Sequence, residues 1–388
     1  MKRRKLLMIP GPIEFEPAVL RAMSVETASH VAPNFIACFQ YCIKAFKEVL
    51  KAPNGQAFIV AGSGTLAMDM AATNLIEPGD KALVISTGYF GVRYENILKR
   101  YGAETTLLES DLGDVVSLDR IEQELKTGNY KLVTFTHVDT STGVLVDPEP
   151  IAKLAQQYGA LSIVDGICSV AGEELKQEEW GVDVVVTASQ KALGVPPGLA
   201  LVMASSKAIK TWENRKHLVA NYYADWENWL PIMQAYENGK PSYFGTPPVN
   251  LIVALETSLK LILEEGIDAR IERHQNYARA FREALHAVGL ELIASSNDHA
   301  AHTLSAVLYP TSIDSSDFTK KIGEKDVIVA GGLLPSFKTK YFRVGHMGSV
   351  SNNDLMATLS AIEYALGEAG YMYERGKSLV TFQRFLHD

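Results

Sequence analysis

Three cysteines in 388 residues are too few for a disulfide framework, and Cys38, Cys42 and Cys168 lack the paired spacing of a metal site. Cys38 and Cys42 stand one helical turn apart and read as packing residues. So little sulfur chemistry fits a reducing compartment. No stretch reaches the roughly 18 uninterrupted apolar residues of a membrane span. The start, MKRRKLLMIPGP, is basic and then apolar, but its apolar run of about four residues falls short of the roughly 7–15 of a signal core. The final FLHD is not a peroxisomal tripeptide. Cytosol is the default placement, with mitochondrion and peroxisome left open. Basic charge is also in deficit: 37 Lys and Arg stand against 45 Asp and Glu, a net charge of −8. A nucleic-acid footprint needs a basic face, so that class of partner is not expected. Repeats and low-complexity tracts are absent.

What is present is a hydrophobic content of 47% arranged in a regular alternation. KALVIS (81–86), KLVTFTHV (131–138), ALSIVD (160–165), VDVVVTA (182–188) and GLALVMAS (198–205) are short, apolar and rich in β-branched residues. Their lengths suit strands buried on both faces. Between them lie helical patterns at 65–76 and 147–159. The second opens on Asp147 and Pro148, a cap followed by proline in the first turn, and closes on Gly159. Such alternation predicts an α/β fold with a mostly parallel sheet covered by helices. After about residue 250 the texture changes. Long amphipathic helices at 250–266 and 270–289 are followed by short strands at 303–310, 326–332 and 341–346. The expected division is an N-terminal arm (1–22), a large domain (23–265) and a smaller α+β domain (266–388).

In an open parallel sheet, ligands gather at the carboxyl ends of the strands. Thr140, Asp165 and Lys191 all follow such ends. Each alone has an ordinary explanation: an aspartate there is commonly a turn or helix cap, and a lone lysine is commonly solvated. Together at one rim they match the needs of pyridoxal phosphate chemistry. A lysine amine forms a Schiff base with the aldehyde, and a carboxylate pairs with the protonated pyridine nitrogen. The amine must be uncharged to attack, which a desolvated position favours. The GVPPG corner (194–198) then shapes a rigid backbone behind the nucleophile. For the phosphate, AGSGT (61–65) lies between an apolar run and a helix start, where free N–H groups and the hydroxyls of Ser63 and Thr65 favour an anion.

These residues resemble the class V, fold-type I aminotransferases, most closely the alanine–glyoxylate and serine–pyruvate branch. The matching stretches are IPGP (9–12), AGSGT (61–65), STGYFGVR (86–93), THVDTSTGVL (136–145), IVDGICSVAGEE (163–174), WGVDVVVTASQKALGVPPGLAL (180–201), YFGTPP (243–248) and YFRVGHMG (341–348). They occur in order along nearly the whole chain. The resemblance implies a seven-stranded-type sheet in the large domain and a homodimer with shared sites. It implies Lys191 as the Schiff-base lysine and Asp165 as the partner of the pyridine nitrogen. Ser63, Gly64 and Thr65 would hold the phosphate. Thr140 and Gln190 would bond near the ring hydroxyl or phosphate, and Phe90 and Ile167 would contact the cofactor. Tyr243 and Thr246 would reach the phosphate of the neighbouring subunit. Gly11 would line the substrate pocket, and Arg343 would clamp the substrate carboxylate. Phe90 stands where several relatives carry a stacked tryptophan, and Thr65 where some carry histidine.

The implied reaction is ping-pong exchange of an amino group between a small amino acid and a small 2-oxo acid. The recognised motifs offer no second arginine suited to a distal carboxylate, which favours small substrates. Alanine with glyoxylate is the expected pair. Serine–pyruvate or serine–glyoxylate exchange is the alternative, followed by a 2-aminoethylphosphonate–pyruvate enzyme or a cysteine desulfurase. A desulfurase needs a mobile cysteine, and Cys168 is tied to a strand end. A non-catalytic scaffold of the same fold would not need Lys191, Asp165 and Arg343 together. No metal site is expected.

Overall fold

The computed structural model describes residues 5–387. Most of the basic start, and the last residue of FLHD, lie outside the described residues. The central sheet has seven strands. In spatial order they are Gln56–Ala61, Leu199–Ala204, Val184–Ala188, Leu161–Asp165, Leu132–Thr136, Lys81–Ser86 and Glu104–Glu109. Leu199–Ala204 runs antiparallel to both neighbours, and the other pairings are parallel.

The three central strands are buried along their whole length, so they carry continuous apolar runs. Helices cover them. Gly64–Leu75 packs on Val184–Ala188 and Leu199–Ala204, and Tyr89–Arg100 packs on Lys81–Ser86. The predicted cap at Asp147 is present: its carboxylate accepts from the Glu149 N–H at 3.1 Å, opening the helix Pro148–Gln157. Cys38 and Cys42 are packing residues on the buried face of the helix Pro33–Val49.

Two expected strands differ, and one strand was not expected. The run 131–138 stops at Thr136, because Val138–Asp139 leaves the sheet to form a hairpin with Val144–Leu145. Thr140 sits in that hairpin's turn. The run 326–332 is not one strand: Val327–Ile328 pairs with Leu6–Leu7, and Ala330–Gly331 pairs with Tyr341–Gly345. The edge strand Glu104–Glu109 has no counterpart among the expected elements. Its sequence, ETTLLE, is mostly half-exposed and lacks an apolar run.

A second apolar core forms around Met8, Phe281, Leu285, Phe318, Phe342 and Leu359. It is backed by the antiparallel sheet Leu304–Leu308, Tyr341–Gly345 and Ala330–Gly331. Gly266, at φ +84°, joins the helices Val249–Glu265 and Ile267–Ala287. We propose the boundary between large and small domains at this joint, supported by the two cores. The N-terminal segment touches both: Leu6–Leu7 adds to the second, and the helix Pro17–Met23 packs on Val249–Glu265.

Candidate active site

Strand order puts Leu161–Asp165 beside Val184–Ala188, with Asp165 opposite Val186. Asp165 therefore ends one strand where the next still runs, and Lys191 follows three residues after Ala188. Both side chains line one cavity of about 310 Å³. Gly11, Ser63, Gly64, Thr65, Phe90, Thr140, Ile167 and Gln190 line it too. Arg93, Cys168, Pro12, Val138 and Pro197 complete much of the wall.

Lys191 is nearly buried, at 8% exposure. Its Nζ donates to the Pro10 carbonyl. Burial pushes the amine pKa below its usual value, and the Arg343 guanidinium adds to this, while Cys168 and Asp165 oppose it. Gly11, at φ +126°, makes room for this contact: a Cβ there would lie 2.6 Å from Lys191 Nζ. Asp165 accepts from the Ile167 N–H at 3.0 Å. Its pKa is pushed up to about 7, first by burial and then by the nearby Asp139 carboxylate.

The loop behind Lys191 is fixed by many bonds. Gly194 N–H donates to the Lys191 carbonyl at 2.8 Å, with Gly194 at φ +70°. Ser189 Oγ donates to the Pro196 carbonyl at 2.8 Å and accepts from the Leu199 N–H at 3.2 Å. Ser258 bonds the Leu193 carbonyl at 2.5 Å, and the buried Arg270 bonds the carbonyls of Ala192 and Ala171. Arg270 carried no sequence signal, because it lies 79 positions from the lysine it supports.

At the other end of the cavity the helix Gly64–Leu75 begins. Ser63, its cap residue, makes no side-chain capping bond. A Cβ on Gly64 would lie 2.6 Å from Ile167 Cδ1, so any larger residue there would push that side chain aside. Phe90 is held by its own N–H, which donates to Asp139 Oδ2 at 3.0 Å. Asp139 also accepts from the Ser141 N–H at 2.9 Å, fixing the turn that carries Thr140.

Three expected residues lie outside the cavity wall. Tyr243 is 61% exposed, with its ring 5.3 Å from that of His30, and Thr246 is exposed. Arg343 donates to the carbonyls of Gly331 at 2.9 Å and Thr140 at 3.1 Å, which ties it to the cavity through Thr140. Arg93 was not among the expected residues, although it ends the STGYFGVR stretch. It places a guanidinium in the wall, an arginine that the argument for small substrates did not weigh. A wider cleft of about 580 Å³, with His137, Glu173 and His302 in its wall, holds none of the expected residues. Among the described residues no cluster of three or more His, Cys, Asp or Glu could hold a metal ion. No described helix is long and apolar enough to cross a membrane.

The Aminotransferase class-V family profile matches residues 19–345. The chain belongs to this family. It is 39% identical to alanine–glyoxylate aminotransferase 1 of Saccharomyces cerevisiae over 89% of this chain and 93% of the yeast protein. It is 31% identical to a serine–glyoxylate aminotransferase of Arabidopsis thaliana over 99% of this chain and 95% of that protein. A crystal structure of an alanine–glyoxylate aminotransferase from Nostoc sp. superposes with a TM-score of 0.89, at 32% identity, covering 94% of this chain and 96% of that one. The fold is therefore that of the fold-type I enzymes, and the chain is a class V aminotransferase. The family implies pyridoxal phosphate. The cavity fits it: a buried carboxylate, a desolvated amine, an uncapped helix start and the unpartnered buried Oε1 of Gln190 face one space.

Proposed function

We propose that this aminotransferase exchanges the amino group of alanine with glyoxylate, giving pyruvate and glycine, on bound pyridoxal phosphate. The observation that carries the cofactor reading is the meeting of Asp165, Lys191 and the Ser63–Thr65 turn in one cavity. Likeness to the yeast and Nostoc enzymes supports the substrate pair. Likeness to the Arabidopsis enzyme favours a second reading with serine as donor.

When bound, the cofactor supplies an aldehyde and an electron-withdrawing ring that make an α-proton acidic. Asp165 would hold the ring nitrogen and keep it protonated. Ser63, Gly64 and Thr65 would hold the phosphate, with Gln190 and Thr140 bonding near the phosphate or ring hydroxyl. Phe90 and Ile167 would contact the ring. Lys191, whose charged form burial disfavours, would take the proton from the substrate α-carbon onto its Nζ. Arg343 would receive the substrate carboxylate through its planar fork, beside Gly11. That fixes the α-carbon near the amine, and correct placement of this kind accounts for much of an enzyme's rate. Tyr243 and Thr246 would serve the phosphate of a second copy of the chain. A desulfurase reading finds no support: all three cysteines are buried, and burial pushes the Cys168 thiol above its usual pKa.

The test is a matrix of alanine, serine, glycine, glutamate and 2-aminoethylphosphonate against glyoxylate and pyruvate. Alanine–glyoxylate exchange should be fastest. Strong turnover of another pair with none of this one would retire the named substrates but not the cofactor. Lys191→Ala should remove turnover and the visible absorption of the lysine-bound cofactor together. Full activity in that variant would refute the role of Lys191.

A further inference from the structure

Arg93 stands in the second turn of the helix Tyr89–Arg100, on the wall of the cavity. Its Nη1 donates to Thr65 Oγ1 at 3.2 Å. Its guanidinium carbon lies 4.7 Å from the Phe90 ring centre and 5.1 Å from that of Tyr89. Two aromatic faces thus support the cation and aim it at the Ser63–Thr65 turn. Arg93 has no carboxylate partner among the described residues. The other cationic groups near the site make no bond to the Ser63–Thr65 turn. Lys191 faces the Pro10 carbonyl, and Arg343 is held by the Gly331 and Thr140 carbonyls.

We infer that Arg93 is the cation that neutralises the cofactor phosphate, bound jointly with Thr65 at the start of the helix Gly64–Leu75. This rests on the pyridoxal phosphate reading above. A phosphate monoester carries roughly −1.5 to −2 at neutral pH, and hydroxyls with backbone N–H groups alone leave that charge uncompensated. A guanidinium matches phosphate geometry with paired donors. The position of Arg93 decides between its two possible anions. It bonds the helix-start residue Thr65, not the Pro10–Gly11 side where Lys191 points, so it meets the phosphate and not a distal substrate carboxylate. An arginine in the wall is then compatible with small substrates.

Apoenzyme is titrated with pyridoxal phosphate and, separately, with pyridoxal, following visible absorption and quenching of tryptophan fluorescence. Arg93→Gln should weaken pyridoxal phosphate binding on the order of tenfold to a hundredfold, the range for a lost charge-assisted bond. Pyridoxal, which lacks the phosphate, should bind the variant nearly as well as it binds wild type. Arg93→Met, which keeps an apolar stem on the two rings, should give the same pattern and serves where the glutamine variant folds poorly. Equal loss of both ligands would assign Arg93 to holding Phe90 and overturn the inference. So would unchanged pyridoxal phosphate binding with selective loss of turnover on aspartate or glutamate. Wild type that binds neither ligand would fail the cofactor reading itself, a result distinct from any outcome in the variants.

Discussion

Burial acts on Asp165 and Lys191 in the same direction, since it disfavours charge on each. For Lys191 the result is useful directly, because an uncharged amine is the reactive form. For Asp165 it means that burial outweighs the pull of the nearby Lys191 and Arg93 cations, and the carboxyl holds its proton more tightly. Its pKa rises from 3.8 to about 7 in the fold. The folded state thus holds the proton more tightly than the unfolded chain. That contribution to stability is complete below about pH 4 and is lost as pH rises through about 7. Asp165→Asn removes the charge and keeps an oxygen to accept from the Ile167 N–H. The apo variant should therefore melt above wild type at pH 8, by an amount equivalent to a few kcal/mol, and the gap should close as pH falls toward 4. Its affinity for pyridoxal phosphate should move the opposite way and drop. Thermal melts of apoprotein across pH check the first part, and equal melting of both proteins at pH 8 would refute it. Asp165 and Lys191 were legible in the sequence because each follows the strand that places it. Arg93 was not, since its meeting with Thr65 spans 28 positions and two helices and leaves no local pattern.

The corner after Lys191 behaves as one element with the turn at the helix start. The Gly62 N–H donates to the Gly198 carbonyl at 2.9 Å, so the lysine loop and the Ser63–Thr65 turn share a bond. Gly198 sits at φ +144°, and a Cβ there would lie 2.5 Å from Leu251 Cδ1. Leu251 can swing aside, but the backbone strain remains, at about 1–3 kcal/mol for a residue held in such a region. Gly198→Ala should lower the melting temperature and weaken cofactor retention together, read by thermal melts and by gel filtration of the loaded protein. A variant that melts lower yet keeps its cofactor would show the corner to be structural only. Elements with strong apolar runs were legible nearly to the residue: 81–86 was expected and Lys81–Ser86 is found. Glu104–Glu109 was missed because an edge strand needs only one covered face and pairs on one side. The run 326–332 was misread because its register changes partner at Val329, which only the tertiary fold decides.

At the scale of the molecule, several large apolar side chains are exposed, among them Met23, Val25, Tyr222 and Tyr243. Tyr223 is bonded to the Ala61 carbonyl at 3.1 Å, directly before the Gly62–Thr65 turn. Tyr222 stacks edge-on with Phe244, and Tyr243 packs on His30. Met23 and Val25 stay exposed while their carbonyls bond Asn250. Exposed apolar groups of this kind can mark a surface that a partner covers, and we propose that a second copy of the chain, related by a two-fold axis, covers it. Composition gave no hint of this, because a patch is assembled from segments far apart in sequence. If Tyr243 and Thr246 serve the partner's phosphate, each site draws Lys191 from one chain and these two residues from the other. The consequence is genetic complementation. Chains carrying Lys191→Ala are co-expressed with chains carrying Tyr243→Ala and Thr246→Ala. Each parent alone should be nearly inactive or strongly weakened in cofactor binding. A mixed dimer contains one site built wholly of intact residues, so statistical mixing should restore on the order of a quarter of wild-type turnover. Activity no greater than the sum of the two parents, in a sample shown to contain mixed dimers, would mean that each chain completes its own site and that the exposed pair plays no part in catalysis.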